Sequence, residues 1–182
     1  MTVKQKNERV EAILDVAEAH IRRGGFNAVS FRDIASEVGI KSSSVHYHFP
    51  YKHDLGKAVV ERYAERFRDI LGSPSDPREN PAQRIERLGQ AYIHSLKVDG
   101  AICLGCVLGA ETSGLPEEVK QAVVAFFNQM IEWTDKALDG AKGPASDAQY
   151  IIGALQGTMV LSVALGDQTS LAATVSRLSK SI

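Results

Sequence analysis

Between Ser30 and Pro50 the chain carries two short apolar-patterned segments separated only by Gly39-Ile40-Lys41, a spacing that admits two brief helices joined by a tight turn. Ser30 stands three residues before Asp33, a variant of the capping-box spacing, and opens a helix to about Val38. Gly39 can take the left-handed conformation that ends a helix. A second helix then runs from Ser42 to Phe49 and is closed by Pro50. Val45 and Phe49 lie four apart, and with Ile34, Val38 and Ile40 they form a small core able to fix the angle between the helices. Such a pair is a helix-turn-helix, whose second helix can enter a major groove while the first crosses the backbone.

The rest of the chain also reads as helix. Val10, Ile13, Leu14, Ala17 and Ile21 recur at helical spacing and stop at Gly24-Gly25. Leu55, Val59, Tyr63 and Phe67 line one face of a longer helix over 51–71. The breaker-rich stretch from Gly72 to Pro81 is expected to separate two domains. Helical patterns follow at about 82–97, 102–111, 116–139, 146–165 and 168–180, with no alternating strand, solenoid repeat or low-complexity tract. The expected fold is all-α with about nine helices: a helix-turn-helix domain at 1–50, a bridging helix at 51–71, and a second helical domain at 72–182.

With 44% hydrophobic and 24% charged residues in 182, the chain is expected to fold rather than stay disordered. Its net charge of −1 does not suggest a polyanion binder. Residues 1–70, however, hold 12 Lys and Arg against 10 Asp and Glu, and residues 71–182 hold 9 against 12, so the cationic excess lies with the helix-turn-helix. The longest apolar stretches, 119–131 and 150–165, are interrupted by polar residues or glycine and lack a signal peptide's features, so a cytoplasmic location is expected.

The face of the second short helix opposite Val45 holds Ser42, Ser43, His46 and Tyr47, hydroxyls and flat rings able to meet base edges, phosphates and a thymine methyl. Arg32, Lys41 and Lys52 frame it with positive charge. The alternative for any one of these residues is a solvated helix face. His46, His48 and His53 do not make a metal site by spacing, because neighbours two apart on a helix point to different faces. No metal-ligand spacing, phosphate-cradling glycine loop or Ser, His and acid arrangement marks a catalyst, so neither catalytic residues nor a cofactor are expected.

The run from Ser30 to Leu55, SFRDIASEVGIKSSSVHYHFPYKHDL, resembles the signature of the TetR family of repressors, and the resemblance covers roughly residues 8–60. It implies a three-helix DNA-binding module followed by a ligand-binding, dimerising helical domain. It also implies that Arg32, Ser42, Ser43 and His46 meet base edges, and that Ser30, Lys41, Ser44, Tyr47, His48 and Lys52 hold phosphate. His46 departs from the family, which often has Tyr there. The implied partners are double-stranded operator DNA with a pseudo-palindromic sequence, a small-molecule effector, and a second copy of the chain joined through the last two helices.

Tyr92, Leu108, Phe127, Met130, Trp133 and Met159 border the effector pocket on this resemblance, with core packing as the alternative for each. Gly153, Ala154, Gly157, Ala164 and Ala172 would permit close approach of a partner helix, or of a helix of the same chain. Cys103 and Cys106 have the spacing of a dithiol redox motif without the sheet such motifs sit beside. The run from Cys103 to Glu111 is similar to a segment in a branch of the family that includes thiol sensors, and Cys103 near a helix start is the candidate. A small buried hydrophobe is the alternative. The expected function is a repressor released from its operator by a small-molecule or thiol-reactive effector. The rivals are an all-α small-molecule-binding protein and a thiol oxidoreductase, neither with a DNA role.

Overall fold

The computed structural model describes residues 3–141, 143, 147–167 and 169–182, with only the backbone described at 3, 4, 98 and 99. Among them are nine α-helices: α1 (Val3–Gly24), α2 (Phe31–Val38), α3 (Ser42–His48), α4 (Lys52–Leu71), α5 (Pro81–Asp99), α6 (Leu104–Ala110), α7 (Glu117–Ala137), α8 (Ala148–Leu165) and α9 (Thr169–Lys180). Single 3-10 turns occur at Phe26–Ala28 and Thr112–Gly114, and no described residue is in a strand. The all-α expectation is met. The expected starts of the last two helices, at 146 and 168, lie outside the described residues.

Local chemistry explains the boundaries. The Ser30 hydroxyl accepts from the Asp33 N–H at 3.4 Å and opens α2, which Gly39 ends at φ +73°. Asn80 and Gln83 exchange side-chain and backbone bonds, each 2.9 Å, in a full capping box with Pro81 in the first turn of α5. Asp147 caps α8 by accepting from Tyr150 N–H at 2.6 Å.

Packing groups the helices into two compact units: Met1–Ala64 with Leu104–Ala125, and Glu65–Cys103 with Phe126–Ile182. The units do not follow linear order, since α4 and α7 each supply residues to both. In the first, Ile13, Ala17, Ile21, Ile34, Val45, Leu55, Val59, Leu108 and Val119 are fully buried. A cation ties α4 to α1. Arg62 on α4 reaches Glu11 and Asp15 at 2.9 Å each and the buried Glu18 at 3.3 Å, all on α1. Arg22 stands 3.8 Å from Glu18 on its other side.

In the second unit α5 packs against α8 and α9. A Cβ at Gly89 would lie 2.4 Å from the Val175 methyls, so glycine sets the approach of α9 to α5. Phe67 meets Tyr92 and Phe126 edge-on, with ring centroids 5.4 and 6.2 Å apart. The loop at 72–80 is stapled from several sides. The Trp133 indole donates to Gly72 O at 2.8 Å, Arg87 pairs with Glu79 at 2.6 Å, and Arg84 donates to Asp76 O at 3.0 Å. Hydrogen bonds from Arg78 hold the Asp76 carboxyl well below the usual carboxylate range.

Removing the guanidinium while keeping bulk tests the α1–α4 tie. Arg62→Met leaves Glu18 without this cation and is expected to lower unfolding free energy by about 3 kcal/mol. It should appear as a lower urea midpoint at unchanged slope. A midpoint equal to that of wild type would show the tie to be dispensable.

Candidate nucleic-acid interface and candidate effector site

The α2–α3 turn divides its residues by chemistry. Ile34, Val45 and Phe49 are buried beneath it, and Val38 and Ile40 are half-buried. The Ile40 N–H donates to Ala35 O at 2.9 Å and the Phe49 N–H to Val45 O at 2.8 Å, so both ends of the turn are closed by backbone bonds. With the apolar residues turned inward, α3 presents Ser43, His46 and Tyr47 to solvent, with Tyr47 70% exposed. Ser42, Ser44 and His48 are half-buried, and Arg32 and Lys41 are exposed on either side of the turn. The His46 ring stands edge-on to Phe31 with centroids 4.6 Å apart, which fixes its direction.

Two of the expected residues already have intramolecular work. The Ser30 hydroxyl is the cap acceptor of α2. Lys52, the first residue of α4, donates from Nζ to Asn27 O at 3.3 Å and lies 4.9 Å from the centre of the Phe26 ring. Its pKa is lowered by burial.

The structure also brings in cations that local sequence reading missed. Lys6 on α1 places its ammonium 5.3 Å from the centre of the Tyr47 ring. Burial, together with the charges of Lys6 and Arg9, holds His48 below the ordinary histidine value. The signal in the sequence was the basic run on the polar side of the first helix, but nothing in that run says that it lies beside α3.

The residues expected at an effector site are not one cluster. Tyr92, Cys103 and Met159 come together in the second unit, and Gln156 joins them. The Gln156 amide donates to the Tyr92 hydroxyl at 3.0 Å and lies 3.6 Å from Cys103 Sγ, while the Cys103 N–H donates to Met159 Sδ at 3.2 Å. Gln156 is only 7% exposed, and among the described residues its Oε1 has no hydrogen-bond partner. Sequence reading missed Gln156, although it falls with Ile152, Leu155 and Met159 on the buried face of an apolar helix. Met130 is buried, and Phe127 is half-buried against Phe126 at 5.4 Å between centroids. Trp133 is committed to Gly72. Leu108 and Cys106 belong to the first unit, the one fully buried and the other half-buried. Both cysteines are thiols. Among the described residues no group of three or more His, Cys, Asp or Glu is placed to hold a metal ion.

An exposed polar helix anchored by an apolar turn, with cations converging on it from two other helices, defines the helix-turn-helix class of nucleic-acid readers. Residues 13–59 match the family described as Bacterial regulatory proteins, tetR family. A TetR transcriptional regulator from Legionella pneumophila superposes with a TM-score of 0.87 at 30% identity, covering 100% of this chain and 98% of that one. One from Agrobacterium tumefaciens gives 0.89 at 25% identity, covering 97% and 98%. The chain belongs to the TetR family. It is also 30% identical over 97 residues to the HTH-type transcriptional repressor KstR2 of Mycobacterium tuberculosis, a stretch covering 51% of this chain and 46% of that repressor.

The His48 environment gives a direct check on the α1–α3 arrangement. Its imidazole resonances should titrate below the ordinary histidine midpoint, and the midpoint should rise in Lys6→Gln and Arg9→Gln. Because folding disfavours the charged ring, this group's contribution to stability is present above the ordinary histidine pKa and is lost as pH falls from there through the lowered folded-state value. Midpoints insensitive to both substitutions would mean that the two cations do not act on His48.

Proposed function

We propose that this chain is a ligand-responsive transcriptional regulator of the repressor type, which binds a pseudo-palindromic operator as a dimer and releases it when an effector binds. The carrying observation is the exposed face of α3 with Arg32, Lys41, Lys6 and Arg9 around it. Arg32, Ser42, Ser43 and His46 are assigned to base edges. Ser30, Lys41, Ser44, Tyr47, His48 and Lys52 are assigned to phosphate, with Lys6 and Arg9 added to them. In this reading the DNA-binding domain is 1–50 with a bridging helix over 51–71, and 72–182 binds effector and partner. The role is regulatory, not catalytic.

Support for the dimer comes from α8. Tyr150, Leu161 and Leu165 are 60%, 56% and 73% exposed, and they share one side of the helix with Gly153, Gly157 and Ala164. Among the described residues nothing lies within 4 Å of a Cβ built at Gly153 or Gly157, so a partner helix could approach closely. The apolar stripe would be covered by its symmetry mate.

The Tyr92–Gln156–Cys103–Met159 cluster supports a reversible small-molecule effector. Among the described residues the buried Gln156 retains an unmet acceptor, whereas Cys103 is wholly buried, which disfavours it as the first site of oxidant attack. Release then follows from differential affinity of the effector for the two dimer geometries.

The experiment is enrichment of duplexes from a random-sequence pool, followed by salt titration of the best duplex. Enrichment of an inverted repeat is expected. Lys6→Ala and Lys41→Ala should weaken binding to all sequences alike and each reduce the log–log salt slope by about 0.9. Arg32→Ala should relax base preference instead. Binding without sequence preference or salt dependence would remove the operator role. Leu161→Glu is expected to convert a dimer to a monomer by light scattering and to weaken operator binding; a wild-type monomer at micromolar concentration would remove the dimer.

A further inference from the structure

The turn that follows α1 is gripped by two side chains from distant parts of the sequence, both within the first unit. From one side Glu111, just beyond the last turn of α6, accepts the Phe26 N–H on Oε2 at 2.8 Å. Its carboxylate occupies the space a side chain would need at Gly25, where a Cβ would stand 1.8 Å from Oε1 and where φ is +78°. From the other side Lys52 donates to Asn27 O and lies over the Phe26 ring. The same ring fills the space above Gly56 on α4, where a Cβ would stand 2.5 Å from Phe26 Cε2. Residues 25–27 are thus a shared support. Glu111 holds their backbone, and they hold the ammonium of Lys52.

We propose that Glu111 is a positioning residue for operator binding, acting through the Phe26–Asn27 turn to hold Lys52 where it meets a DNA phosphate. The proposal rests on the operator-binding reading above and deepens it. A lysine side chain has four rotatable bonds and is a weakly directed phosphate ligand unless its stem is held. Here the ammonium itself is held, by a carbonyl and a ring on a three-residue 3-10 turn with little hydrogen bonding of its own: Ala28 N–H to Gly25 O at 3.1 Å and Val29 N–H to Phe26 O at 3.3 Å. The Phe26 amide is bonded to the Glu111 carboxylate, a charge-assisted bond stronger than either. Glu111 is itself set by α6, since its N–H donates to Leu108 O at 3.1 Å and its carbonyl accepts from Gly114 N–H at 2.8 Å. A displacement at the end of α6 would therefore be felt at Lys52 through the Glu111 carboxylate.

The test uses the full chain and the best duplex that wild type enriches from a random-sequence pool. Operator affinity and its salt slope are measured for Glu111→Ala, Glu111→Gln, Lys52→Ala and the Glu111→Ala/Lys52→Ala pair, with thermal unfolding of each. Glu111→Ala is expected to lower the salt slope by about 0.9, as loss of one phosphate contact does. It should weaken binding as much as Lys52→Ala does. The pair should bind no more weakly than either single variant, because both remove the same contact. Glu111→Gln keeps an acceptor oxygen at the Phe26 amide and should recover most of the affinity, which also covers the case in which Glu111→Ala fails to fold. Losses that add in the pair, or a Glu111→Gln variant as weak as Glu111→Ala at a wild-type melting temperature, would overturn the role of Glu111 while leaving operator binding intact. A wild-type chain that enriches no duplex would overturn both.

Discussion

The arrangement of the first unit depends on how α1 is fixed, and beside its buried apolar face the charged part of that work falls to Arg62 and Glu18. Three carboxylates of α1 converge on this guanidinium, but they are not equal. Glu11 and Asp15 are more than half exposed, and ion pairs of that kind contribute from nothing to about 1 kcal/mol. Glu18 is buried, and stripping it of its cation would leave a desolvated charge. Arg22, also buried, stands on its other side, so the pair is a local charge balance more than a surface decoration. Fixing this point fixes a rod of 22 residues, about 33 Å at the helical rise. One end of the rod brings Lys6 and Arg9 to α3, and the other delivers the turn that holds Lys52. Both flanks of α3 therefore meet residues carried by α1 or by the turn that follows it.

With α1 as the frame, the seven residues of α3 need not stabilise themselves. A helix of that length has no independent stability in water, so its persistence comes from Val45 and Phe49 packing beneath the turn and from the left-handed Gly39. The two jobs fall on different residues. The inward face determines whether the helix exists, and the outward face of Ser43, His46 and Tyr47 can change without unfolding it. That separation lets a reading surface diverge while its scaffold is retained.

The second unit shows the opposite economy. Its buried polar residues among those described are Thr134, Gln156 and Ser162, none charged. Thr134 bonds back to Met130 O at 2.8 Å and is satisfied within its own helix. Gln156 instead spends its donor on Tyr92 and leaves its acceptor unmet, a defect that costs about 1–3 kcal/mol when nothing fills it. An aliphatic residue of similar volume would avoid that cost, so its presence fits a side chain kept for what it can bind.

What could be read from the sequence divides along the same physical line. Caps, helix-ending glycines and apolar periodicity act over three or four residues, and they locate α2, α3, the 72–80 loop and nearly every helix boundary. The contacts that give the site its shape are not of that range. Glu111 meets Phe26 across 85 positions, Gln156 meets Cys103 across 53, and Lys6 lies beside Tyr47 with no pattern to announce it. Local periodicity says that Gln156 faces inward but not what it faces. It says that 102–111 is helical but not that the part from Leu104 onward folds with the N-terminal helices. A turn of three residues whose amide is taken by Glu111 and whose carbonyl and ring are met by Lys52 therefore reads, in one dimension, as an ordinary loop after a double glycine. Only the folded chain shows it as the point where Glu111 and Lys52 share a support.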